Sequence, residues 1–236
     1  MKVGGYLEMS TVDYPNKLCS VLFLFGCNLR CKFCFNWPLV IGNQFKEIPI
    51  DDIVARFIKY REFVNAITIS GGEPCFQGEE LKELIKLLKE KKFQVKLDTN
   101  GTYPEVLREC LKNLDFVALD IKANLDDLSY ERVSGFKVAE KVRESYEILL
   151  KSKLNYEIRI PVVPGLNDSM IPKLSKELED AKRVVLEQFT PENGTLDPNL
   201  NSRIPSRLEM MELAKLFKNE EVLIRTQEGG EECIKK

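Results

Sequence analysis

The chain has 236 residues, 44% of them hydrophobic and 31% charged, with a formal net charge of −2. This length suits one domain or a domain with a small extension, and the composition can fill a core. The charge argues against broad phosphate-driven nucleic-acid binding. The longest apolar run, VLFLFG at 21–26, is too short to span a bilayer, and MKVGGYLEMS lacks the apolar stretch of a secretion signal. No membrane or nucleic-acid partner is expected, and the cytoplasm is the expected location.

Short apolar runs alternate with helical patterns along the chain. CSVLFLFG (19–26) reads as the first strand, and PIDDIVARFIKYREFV (49–64) as a helix with acids at its start. AITISG (66–71) is the next strand. GEELKELIKLLKEKK (78–92) then sets Leu81, Leu84, Ile85 and Leu88 on one face, with acids early and lysines late. FQVKLDT (93–99), FVALDIK (116–122), YEIRIPVV (156–163) and RVVLEQF (183–189) complete a set of six strands. Helices are expected over Tyr103 to Leu111, Val138 to Leu150, Ile171 to Glu179 and Arg207 to Phe217, before a short strand EVLIR. Strands separated by helices favour a parallel sheet, wound on both faces or curled toward a barrel. Six units fall short of a closed eightfold barrel. In either architecture chemistry collects where strands end, and the unusual motifs of this chain lie there.

Seven cysteines and no histidine are present. An odd count without a secretion signal fits poorly with a disulfide framework. Cys19, Cys110 and Cys233 sit in apolar or helical surroundings and read as small hydrophobes. Cys27, Cys31 and Cys34 have C-x₃-C-x₂-C spacing directly after the first strand. Thiolates suit iron–sulfur clusters, zinc or copper(I). A structural zinc site takes four ligands, so Cys75 or another distant cysteine would have to supply the fourth. A cubane held by three cysteines instead leaves one iron open. Cluster, zinc and a non-metal role all remain open at this point.

Further motifs follow the later strands. SGGEP (70–74) pairs glycines that allow close main-chain approach with Glu73, which offers a carboxylate to a cation or simply starts a helix acidically. LDTNG (97–101) and LDIK (119–122) each place an acid at a strand end, where an Asx-type turn or helix cap is the plain alternative. Cys75, beside Pro74, reads as structural.

The cysteine spacing, with the aromatic Phe33 just before the third cysteine and a GGE element downstream, resembles the radical S-adenosylmethionine (SAM) superfamily. The resemblance implies a partial (β/α)₆ TIM-like barrel of parallel strands, as a single domain over 1–236 with a core at about 19–194 and an extension at about 195–236. It implies a [4Fe–4S] cluster on Cys27, Cys31 and Cys34 whose open iron is chelated by SAM. Phe33 would lie near the adenine, and Gly71, Gly72 and Glu73 would bind the SAM ammonium group. Phe33 also reads as a loop aromatic sealing the core.

The DTNG and D-[IL]-K segments are similar to those of glycyl-radical enzyme activating enzymes. By position this brings Asp98, Thr99, Asp120 and Lys122 into the SAM and cation environment, with Lys122 on the SAM carboxylate and Asp120 accepting from ribose or ammonium. Phe35-Asn36 stands where His-Asn is frequent, and both residues join the SAM set. Arg159, Asn167 and Asp168 of RIPVVPGLND are further contact candidates. No histidine stands near FTPENG (189–194). The run STVDYPNKLCSVLFLFGCNLRC resembles the start of activating enzymes, including those serving anaerobic ribonucleotide reductase, with Asn16 where glycine is usual. The implied chemistry is reductive cleavage of SAM to a 5′-deoxyadenosyl radical, which takes a hydrogen atom from a glycine Cα of a partner enzyme. A flavodoxin or ferredoxin-like reductant would supply the electron, and Phe23, Phe25, Phe33, Phe35 and Trp37 would exclude water from the cluster. Two alternatives stand beside this: a radical SAM enzyme acting on a small molecule such as a pterin-derived nucleobase precursor, and a non-catalytic iron–sulfur or zinc protein.

Overall fold

The apolar runs do form a parallel core in the computed structural model, which describes residues 1–191 and 194–236. In chain order the strands are β1 (Lys2–Ser10), β2 (Cys19–Leu24), β3 (Lys46–Glu47), β4 (Ala66–Gly71), β5 (Gln94–Thr99), β6 (Phe116–Asp120), β7 (Asn155–Val162), β8 (Arg183–Gln188), β9 (Glu221–Thr226) and β10 (Gly230–Lys235). They build one sheet in the order β10-β9-β8-β7-β6-β5-β4-β2-β1-β3. The six expected strands are consecutive parallel neighbours from β2 to β8, and β9 continues them as a seventh. Antiparallel β1, β3 and β10 add the edges.

The helices are α1 (Trp37–Ile41), α2 (Ile50–Ile58), α3 (Glu79–Glu90), α4 (Pro104–Cys110), α5 (Asp127–Ser134), α6 (Ala139–Lys151), α7 (Ile171–Glu177) and α8 (Arg207–Ala214). The apolar stripe expected on α3 is real: Leu81, Leu84, Ile85 and Leu88 are fully buried, each stabilising by about 1.5–3 kcal/mol relative to exposure. α1 and α5 were not expected. α5 has local signals all the same, since the Asp126 carboxylate accepts from the Ser129 N–H at 2.9 Å and Gly135 ends the helix at φ 80°. No helix among the described residues is long and apolar enough to cross a membrane.

The sheet is curved. Phe23 of β2 and Glu187 of β8 line the same cavity, although five strand spacings would separate them by about 24 Å in a flat sheet. This is the partial-barrel arrangement, and its interior is charged where branched aliphatic residues would be usual. Lys96 (β5) is only 2% exposed, and Glu157 (β7) is fully buried. Arg225 (β9) bridges Glu157 at 2.8 Å and Glu187 at 3.0 Å. Lys96 pairs with Asp98 on its own strand, and Arg225 and the two glutamates pair across strands, which makes their burial tolerable.

Candidate active site

The cysteine loop leaves β2 through Gly26, whose φ of 100° turns the chain. Two other segments then clamp it through main-chain hydrogen bonds. On one side the Arg30 and Lys32 N–H groups donate to the Ser134 and Val133 carbonyls of α5, at 2.9 and 3.2 Å. On the other, the Leu196 and Asp197 N–H groups donate to the Cys34 and Lys32 carbonyls, each at 3.0 Å. Arg30 Nη1 ties the loop to itself through the Cys27 and Leu29 carbonyls.

Cys27, Cys31 and Cys34 line one cavity of about 450 Å³ at the C-terminal ends of the strands. Burial pushes all three thiols up, Cys27 to about 11 with help from the Glu73 charge and Cys31 to about 12. Thiols this desolvated stay protonated unless a cation compensates them, as iron does. Among the described residues no three His, Cys, Asp or Glu side chains converge on a point that would hold a single metal ion. A cubane takes each thiolate on a different iron, and three thiols lining one cavity supply the donor set for that group. Cys75, the fourth ligand that a zinc site would need, is buried and does not line the cavity.

The SGGEP turn docks directly on the cysteine loop. The Gly72 N–H donates to the Leu24 carbonyl at 2.9 Å and the Glu73 N–H to the Gly26 carbonyl at 2.8 Å. A Cβ on Gly71 would lie 2.2 Å from the Leu24 oxygen, and one on Gly72 would lie 2.2 Å from the Gly26 oxygen. Both glycines are therefore required by backbone approach, and both line the cavity. Glu73 does not line it. Its carboxylate is fully buried and accepts from the Thr99 hydroxyl at 2.8 Å, the Cys75 N–H at 2.9 Å and the Asn100 N–H at 2.6 Å. Burial raises the Glu73 pKa, and these hydrogen bonds oppose the rise. Glu73 thus joins the SGGEP and LDTNG turns.

The remaining wall is ionic. Arg159 donates from Nε to Asp120 at 2.6 Å and from Nη1 to Asp98 at 3.2 Å. Lys96 holds the other Asp98 oxygen at 2.6 Å, and Lys122 holds the other Asp120 oxygen at 3.2 Å. Burial works to raise both acids, but Arg159 with Lys96 keeps Asp98 below the usual carboxylate range. Arg159 with Lys122 brings Asp120 to about 2. Burial also opposes the charge of Lys122, yet Asp120 and the thiols raise its pKa, so the site keeps paired charges at neutral pH. The Lys122 ammonium lies 5.9 Å from the centre of the Phe33 ring.

Of the expected residues, the three cysteines, Phe33, Phe35, Asn36, Gly71, Gly72, Asp98, Thr99, Asp120 and Lys122 share this cavity, and Arg159 lines it too. Asn167 instead latches loops, donating to the Lys122 and Pro161 carbonyls at 2.9 and 2.7 Å. Asp168 accepts from the Gly165 N–H. Phe23, Phe33 and Phe35 line the cavity as an apolar wall; Phe25 and Trp37 do not, and Phe25 stacks on Phe45. Sequence reading missed Asp13 and Asn100, both lining the cavity. Each lies inside a quoted motif, which is the signal that could have found it. FTPENG includes Glu192 and Asn193, which lie outside the described residues.

Comparison with known proteins agrees with this geometry. Residues 21–178 match the radical SAM superfamily. A Methanocaldococcus jannaschii protein named as a glycyl-radical enzyme activating enzyme is 34% identical over 235 residues, covering 96% of this chain and 97% of its own. The pyruvate formate-lyase-activating enzyme of Clostridium pasteurianum is 30% identical over 80% of this chain and 81% of its own. Among solved structures, TYW1 with a lysine–pyruvate adduct bound shares the fold at a TM-score of 0.67 and 20% identity, over 90% of this chain and 77% of that one. The chain therefore belongs to the radical SAM superfamily and, within it, to the glycyl-radical enzyme activating enzymes, which work with a [4Fe–4S] cluster and S-adenosylmethionine.

Proposed function

We propose that this enzyme installs a glycyl radical on anaerobic ribonucleotide reductase, acting in the cytoplasm as a single domain with a flavodoxin or ferredoxin-like protein as electron donor. The observation that carries the activating reading is the meeting of three thiols, two backbone-approach glycines and a paired set of charges in one cavity. The choice of partner rests on the STVDYPNK segment, which resembles the activating enzymes of that reductase. When bound, the cluster and SAM supply one-electron reduction and hydrogen-atom abstraction.

The residues of the chain provide grip, orientation and dryness. Cys27, Cys31 and Cys34 hold three irons. Lys122 takes the SAM carboxylate, Asp120 and Asp98 offer ionised acceptors, and the main chain at Gly71 and Gly72 takes the ammonium group. Phe33 would pack near the adenine, and Phe35 and Asn36 line the same cavity. Thr99 lines the site while its hydroxyl is held by Glu73, so Glu73 acts by fixing the turn rather than by touching SAM. Arg159 keeps both aspartates charged and aimed.

The test is anaerobic incubation of the reconstituted enzyme with SAM, a low-potential reductant and ribonucleotide reductase, with pyruvate formate-lyase as the comparison partner. A glycyl EPR signal on the reductase, lost when SAM is omitted, is expected. A signal on pyruvate formate-lyase alone would overturn the partner. Turnover of a small molecule with no protein radical would overturn the activating role.

A further inference from the structure

Asn100, in the LDTNG turn, faces the cysteine loop and is 5% exposed. Its amide nitrogen lies 3.7 Å from the Cys27 sulfur and 3.2 Å from Asn28 Oδ1. The orientation of the amide is fixed by its other end. Asn100 Oδ1 accepts from the Thr102 backbone N–H at 3.0 Å and lies 2.6 Å from the Thr102 hydroxyl. Turning the amide over would set its NH₂ against a backbone N–H, donor against donor, so the nitrogen must face the sulfur. The main chain is pinned as well, since the Asn100 N–H donates to the buried Glu73 carboxylate at 2.6 Å. Asn28 and Thr102 complete the ring, with Asn28 Nδ2 donating to the Thr102 hydroxyl at 2.9 Å. The same sulfur accepts from the Leu29 N–H at 3.4 Å.

We propose that Asn100 is a positioning residue that donates a hydrogen bond to the Cys27 sulfur and thereby raises the reduction potential of the cluster that Cys27 holds. The physical basis is general. Reduction adds negative charge to the cluster and its sulfurs, so a fixed donor stabilises the reduced form more than the oxidised one. The amide needs no reorganisation, because Thr102 and Glu73 already hold it in place. Glu73, the acid of the SGGEP turn, contributes by pinning the Asn100 main chain.

This inference rests on Cys27 as a cluster ligand, and the experiment separates the two. Midpoint potentials are measured by redox titration followed by EPR, on protein carrying its full iron and sulfide. Asn100→Ala is expected to lower the ratio of reduced to oxidised cluster at a fixed solution potential about tenfold, which is about 59 mV for a one-electron couple. Thr102→Val removes one anchor of the amide and is expected to move the potential in the same direction by less. Should Asn100→Ala fail to hold a cluster, Thr102→Val decides alone. Potentials equal to that of the parent in the variants that hold a cluster would overturn the proposal. A Cys27→Ala variant that keeps an unaltered cluster would instead overturn the ligand assignment beneath it.

Discussion

Two cavities open at opposite ends of the curved sheet, and the larger one is the plainer. The cavity at the N-terminal ends of the strands has a volume of about 600 Å³, against about 450 Å³ at the C-terminal ends. The larger is edged by Lys17, Lys153 and Lys182, with Asp115 and Glu221 already committed to Lys89 and Arg183. The smaller gathers three thiols, Asp98, Asp120, Lys122 and Arg159, and Asp98 and Asp120 are held below the usual carboxylate range by named partners. Volume alone follows from an unclosed barrel. Desolvated charges whose partners fix their protonation are what distinguish a reactive site.

That contrast can be broken at either end. The largest effect is expected from Cys31→Ala, which removes the most buried thiol of the loop. Anaerobically reconstituted protein should lose its bound iron and sulfide together with the oxygen-sensitive absorbance, and retention of both would remove the thiols from the argument. Next comes Asp120→Asn. Loss of a charge-assisted hydrogen bond is worth about 1.5–3 kcal/mol, so SAM should bind roughly tenfold or more weakly by calorimetry.

The same substitution also reports on acid stability. Asp120 has a folded pKa of about 2, below the ordinary value of about 3.9. Its contribution is therefore present above the ordinary value and is lost as pH falls toward 2. The parent should lose stability more steeply than Asp120→Asn between about pH 4 and 2, as followed by denaturant titration. The smallest effect belongs to the other end. Lys153→Ala should leave SAM affinity within about twofold, because a solvated lysine contributes little. A larger loss would give the second cavity a part in the reaction.

Much of this was readable from the chain because parallel strands are buried on both faces and so appear as continuous apolar runs. CSVLFL and AITISG are of that kind, and the motifs at their ends mark the site directly. The edges were harder. β10 reads GEECIK, half of it charged, and β1 contains paired glycines, so neither resembles a buried strand. The charged interior was hidden for another reason. Lys96, Glu157 and Arg225 look like solvent-facing positions until strands far apart in sequence bring them together. Arg159 stood only as a further contact candidate, although it holds both site aspartates. Asn100 stood only as one residue of the LDTNG segment, since its contact with Cys27 spans 73 positions. Glu73 carried a motif that suggested direct ligand contact, and only its three hydrogen-bond donors show where the carboxylate is committed.

The late segment that grips the cysteine loop has a bearing on how the enzyme is made. Leu196 and Asp197 secure the Cys34 and Lys32 carbonyls, yet they are synthesised long after those residues. A nascent chain therefore displays the three thiols of the loop before the segment that secures its carbonyls has been made.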